Sequence, residues 1–328
     1  MVSVQQSWQQ ISPQLVMPRS PQKQRGRFGL RWLASLVGGC AIALTAAVDS
    51  GLADPFRPSA PKQVGDRTEQ AFEAMFQAGN YQEARDLLQT AEENEPLNYA
   101  LQASIAFLGE DWDILERNAT RTRETAEALI ATDPLRGHLY TAVGHFLEGA
   151  YIAQDEGLVA ATPDLLRRLQ LVFDHFNQAE AIDPNDPEIN LIRGFMDLVL
   201  AVHLPFSDPA QAIERLEEKA GPSYMANRGL AVGYRDLGEF DQALVAVDEA
   251  IAVAPENPEL YYLKAQILVD QGNHEASLEY FARAMEGRDQ LVKQVGNRLA
   301  WEQCRTENRI EGIDDNTSRV QCRELIRD

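Results

Sequence analysis

The sequence contains no glycine-rich phosphate loop, no dinucleotide fingerprint and no GxSxG nucleophile elbow. The commonest routes to nucleotide chemistry and serine hydrolysis therefore have no recognisable residues to work with. Histidine is scarce, with five in 328 residues, and no serine–histidine–acid combination stands out around them. Basic side chains are outnumbered, 30 against 50 acidic ones, for a net charge of −20. A body this acidic repels phosphate backbones, which argues against nucleic acid as a partner. Cysteine is rarer still, at three. These absences point away from an enzyme and imply no cofactor.

What is present begins with a leader. Arg19, Lys23, Arg25, Arg27 and Arg31 precede Trp32 to Val48, a run of apolar and small residues, and Gly51 and Ala53 then offer the small side chains a signal peptidase reads. Residues 1–53 are expected to be a signal peptide cleaved near Ala53 or, uncleaved, a membrane anchor and the only membrane contact. In both cases the acidic body is exported, to a periplasm or a thylakoid lumen. Lipidation at Cys40 fits less well, because apolar sequence continues past it. Residues 54–64, DPFRPSAPKQV, read as a Pro-rich spacer. The body then keeps two cysteines, Cys304 and Cys322. An even pair in an exported protein suggests one disulfide, the alternative being two unpaired thiols.

From Gly65 onward the chain repeats itself. The clearest unit carries Leu230, Ala231 and Tyr234, then Gly238-Glu239-Phe240, then Ala243, Val247 and Ala250, and closes on Pro255. The next copy has Tyr261, Ala265, Leu268, Gly272, Ser277, Phe281 and Ala284. An earlier one has Phe72, Met75, Gly79-Asn80-Tyr81, Ala84, Leu88 and Ala91, closing on Pro96. Each glycine sits where a first helix must end in a left-handed turn, and the steps of four and three give the second helix one buried stripe. Asp133-Pro134 and Asp183-Pro184 punctuate a more degenerate centre. There the extra length is expected in a long helix over 136–156 and a loop over 155–163.

These residues resemble the tetratricopeptide repeat, a helical hairpin of about 34 residues. The resemblance covers nearly all of 65–287. It implies an all-α, right-handed superhelical solenoid of about six hairpins, with residues 288–328 as capping helix and tail. It also implies a concave groove lined by the first helices, which binds a partner protein or peptide. Aligned groove positions are Glu69, Glu73 and Phe76 in one repeat, Met225, Arg228, Val232 and Arg235 in another, and Tyr262, Gln266 and Asp270 in the next. The lysine–asparagine set with which some members clamp acidic tails is missing. The expected function is an exported scaffold in envelope or membrane-complex assembly. The alternative is a divalent-cation or small-ligand carrier, or a helical enzyme without a recognisable motif. His138, His145 and Glu148 share one helical face and are the only metal-ligand candidates the spacing offers, too few for a structural zinc site.

Overall fold

A computed structural model describes residues 54–155, 158–203 and 209–326. The expected leader, residues 1–53, lies outside the described residues. Among those described, no helix is long and apolar enough to cross a membrane.

Fourteen α-helices make up the described chain. They pair into hairpins: α1 (Asp66–Phe76) with α2 (Tyr81–Leu88), α3 (Pro96–Leu108) with α4 (Trp112–Leu129), and α5 (Pro134–Asp155) with α6 (Leu158–Ile182). Next come α7 (Pro187–His203) with α8 (Pro209–Glu218), α9 (Ser223–Asp236) with α10 (Phe240–Val253), and α11 (Pro258–Gln271) with α12 (His274–Glu286). Two helices follow, α13 (Lys293–Ile310) and α14 (Asp315–Arg323). The expected six-hairpin all-α solenoid is what forms.

Local chemistry explains where the helices start and stop. Asn80 caps α2 by accepting from the Glu83 N–H at 3.1 Å, while its own amide donates to the Glu83 carboxylate at 3.0 Å. Five helices open on proline, at Pro96, Pro134, Pro187, Pro209 and Pro258. At a first helical position the missing N–H costs nothing. Pro96 thus starts a helix rather than merely stopping the one before. Gly79, Gly238 and Gly272 have φ of 67°, 77° and 90°, the left-handed turn expected of them. Ala243, Val247 and Ala250 are buried, as are Ser277, Phe281 and Ala284, so each stripe faces its hairpin partner.

The centre departs from expectation. No loop spans 155–163. The extra residues lengthen the hairpin instead, giving a 22-residue α5 and a 25-residue α6, with Pro163 inside the latter. Apolar positions continue at helical spacing across the stretch, so burying them stabilises helix more than the proline weakens it. Glu156 and Gly157, between the two helices, lie outside the described residues, as does the expected turn at 204–207.

At the C-terminus Cys304 of α13 and Cys322 of α14 form a disulfide. It fastens the last helix to the capping helix, which packs on α12.

The array closes into a ring. First helices of successive hairpins are neighbours, α1 with α3, α3 with α5, α7 with α9 and α9 with α11. The N-terminal hairpin then meets the start of α11. The Tyr81 hydroxyl donates to Glu259 at 2.8 Å, and the Asn257 amide donates to the Phe76 carbonyl at 2.8 Å. On the other side, the Gln294 amide donates to the Gly109 carbonyl at 2.6 Å. Tyr81 is fully buried, and burial together with the Glu259 charge pushes its phenol well up, so it remains a donor at neutral pH.

Candidate functional site

Ring closure turns the concave face into an apolar cavity of about 330 Å³. Helix α1 contributes Phe72 and Phe76, α3 Leu101, and α5 Tyr140 and Phe146. Phe176 of α6, Phe195 and Met196 of α7, and Met225 of α9 complete the apolar wall, and Arg228 supplies a charge at its edge. Arg228 is held 3.4 Å from Glu259, the same carboxylate that receives Tyr81. Phe146 is 40% exposed, which shows that the cavity has an open side. Aromatic and methionine side chains give such a surface large contact area with little polar constraint.

Residues 54–64, expected as a spacer, pack inside the ring. Phe56, Arg57 and Val64 are buried, and the Phe56 ring sits 4.8 Å from that of Phe72. Arg57 reaches Asp186 through Nε at 2.6 Å and Nη2 at 2.9 Å, and Glu188 through Nη2 at 2.7 Å. Beside it Arg136, itself 1% exposed, donates to Glu95 at 3.1 Å and lies 3.7 Å from Glu188. Tyr140 donates its hydroxyl to Glu188. Burial works against both guanidinium charges, but the surrounding carboxylates outweigh it, and both groups are raised above the ordinary arginine value. The network therefore stays charged at any pH at which the protein folds.

The aligned groove residues divide into two sets. Phe76, Met225 and Arg228 line the cavity. Glu73 instead faces a separate recess of about 510 Å³, between α1, α2 and residues 253–256. Glu69 is raised by burial and by the charge of Glu73, and it accepts the backbone N–H of Asp54. The remaining positions are turned against one another and against α13. Arg235 donates to Gln266 at 3.2 Å and lies 3.8 Å from Asp270; Gln266 donates to Glu302 at 2.8 Å. Tyr262 is 7% exposed, and Val232 packs against the core. The capping helix thus covers the groove positions of the last hairpin. Sequence alignment missed Tyr140, Phe146, Phe176 and Phe195, because they sit in the degenerate central hairpins. Their density of aromatics at helical spacing was the available signal.

Structure gathers the histidines but not as a metal site. His138 of α5 and His175 of α6 share a hydrogen bond, Nδ1 to Nδ1 at 3.1 Å, and the His145 ring lies 6.0 Å from that of His175. Glu148 is engaged by Arg123 at 3.0 Å and by Arg168. Burial alone would raise it, but hydrogen bonds from His145 and Arg123 and the nearby arginine charges bring it down to about 2. Among the described residues no group of three or more ligating side chains is placed to hold a metal ion.

The histidine pair carries a pH prediction. Burial lowers His138 and His175, the latter further through its histidine neighbours, with Glu127 and Asp174 opposing. The unfolded chain then binds more protons than the folded one below a histidine's ordinary value of about 6.5, so stability falls as pH falls through that range. Melting temperature should drop between pH 7 and pH 5.5, and the drop should shrink in His175→Gln, which can still hydrogen-bond His138. An equal drop in both proteins would assign the effect elsewhere; Glu148 responds only at lower pH.

A closed, all-helical repeat array with an apolar inner face defines a class of protein-interaction scaffolds. Residues 228–290, spanning most of α9 to α12, match the sequence model of the tetratricopeptide repeat. The protein is a tetratricopeptide-repeat protein, of a family whose members are in general non-catalytic scaffolds. No curated protein matches the chain.

Proposed function

We propose that the protein is an exported scaffold that binds a partner protein on the inner face of its ring, in the assembly of an envelope or membrane complex. The observation that carries this reading is the inner face itself. On a chain with a net charge of −20, it is an exposed apolar surface rimmed by polar groups. Such surfaces mark binding sites, and aromatic, methionine and arginine side chains are the usual anchors. Export is supported by the basic leader and the paired cysteines.

Crosslinking in the native envelope fraction tests the proposal. Phe146→Asp puts a charge in the cavity at a position already 40% exposed; Val245→Asp does the same on α10 at a position 60% exposed and away from the cavity. Partner recovery should fall at least tenfold with the first and be unaffected by the second. Equal recovery from both would dismiss the inner face as the binding surface.

A second reading has one observation in its favour. Closure leaves about 330 Å³, less than one turn of a helix about 10 Å across needs. A small apolar ligand would fit that volume. Binding of such a ligand, abolished by Phe146→Asp with no partner recovered, would favour this reading.

A further inference from the structure

Residues 54–64 are held the way a bound peptide is held. Asp54 folds the segment back on itself, accepting the backbone N–H groups of Phe56 at 2.9 Å and Lys62 at 2.7 Å. The turn sets Phe56 and Arg57 side by side. Phe56 enters the cavity wall next to Phe72, and Arg57 extends to the first turn of α7. Its receiving carboxylates, Asp186 and Glu188, lie more than a hundred residues away in sequence, with separations of 129 and 131. Both are buried at the inner face, at 3% and 0% exposure. Buried carboxylates are costly unless a cation meets them. No helical hairpin needs them there, beyond the capping of α7 by Asp186. Nε and Nη2 of Arg57 grip Asp186 with two parallel hydrogen bonds, which a planar guanidinium can make and an ammonium cannot.

We propose that the inner face is a receptor for an aromatic–arginine peptide, that residues 54–64 are its built-in occupant, and that the partner binds by presenting the same two side chains and displacing them. The proposal rests on the reading of the inner face as the partner surface and names that partner's chemistry. A tethered occupant competes at an effective concentration of about a millimolar, so a free partner segment binds weakly until the tether yields. The built-in segment therefore sets the threshold for binding.

The test uses the full chain carrying Phe56→Ser and Arg57→Ser, which empties the receptor while keeping the backbone. A labelled synthetic peptide spelling residues 54–64 is titrated by fluorescence anisotropy. The variant should bind it at least tenfold more tightly than the unaltered chain does. A control peptide with lysine in place of the arginine should bind the variant at least tenfold more weakly. Absence of saturable binding to a folded variant, or equal binding of the lysine peptide, overturns the proposal. If the variant fails to fold, the unaltered chain still decides. Millimolar peptide should speed amide exchange within residues 54–64, and unchanged exchange there overturns the proposal. The titration needs no partner. Its failure leaves the scaffold reading standing, whereas failure of that reading shows only in the crosslinking.

Discussion

Replacing Glu188 by glutamine is expected to remove about 3–5 kcal/mol of stability, the largest loss from any single change to a polar side chain in this protein. Glu188 is fully buried and serves three groups: Arg57 at 2.7 Å, Arg136 at 3.7 Å and the Tyr140 hydroxyl. Glutamine has nearly the same shape but no charge, and its amide can turn a donor toward a guanidinium that is itself only a donor. Arg57 would keep Asp186 and Asp54, and Arg136 would keep Glu95, yet two buried cations would have lost the anion between them. The urea midpoint should fall with little change in slope, since the folded surface is unaltered. Asp248→Asn is the control. Its ion pair with Lys264 has a carboxylate 54% exposed, and removing it should cost under about 1 kcal/mol. A loss that small for Glu188→Gln would mean that water solvates the arginines inside the ring.

The second large effect separates the turn from the closure. Gly79→Ala, Gly238→Ala and Gly272→Ala put a methyl at equivalent positions of three hairpins, all with positive φ. Each should lose about 1–2 kcal/mol from left-handed strain alone. At Gly238 and Gly272 an added Cβ meets nothing within 4 Å. At Gly79 it would lie 2.5 Å from Asn257 Oδ1 and 2.6 Å from Pro258 Cδ. Asn257 cannot readily withdraw. Its Oδ1 accepts the Glu259 N–H at 2.9 Å to cap α11, and its amide donates to the Phe76 carbonyl across the closure. Gly79→Ala should therefore cost a further 1–3 kcal/mol, roughly the penalty of overpacking. It should also raise the radius of gyration in small-angle scattering, as the N-terminal hairpin parts from α11. Three equal losses with no expansion would mean that the ring stays shut without this contact.

Much of this protein is legible from residue order. Gly79, Gly238 and Gly272 end their helices, the alanine-rich stripes face inward, and Cys304 and Cys322 pair, because each outcome depends on neighbours within one or two hairpins. The candidate site was legible only in part. Met225, Arg228 and Phe76 were found through the repeat alignment, while Tyr140, Phe146 and Phe195 lie where the repeat pattern fades. Tyr262, Gln266 and Asp270 occupy groove positions in the alignment, yet α13 covers them, and no local pattern tells how a capping helix will lie.

The hairpin is thus what the sequence determined by itself: its period, its turns, its buried stripe and the number of its copies. Those are short-range consequences of backbone freedom at glycine and of apolar spacing. Only the tertiary structure decided that the array closes, that closure makes a cavity, and that residues 54–64 lie inside it. Small rotations between hairpins add up along a solenoid, so whether its ends meet depends on all of them together. The place of Arg57 likewise depends on two carboxylates on α7, far along the chain, where burial made a matching cation the favourable occupant.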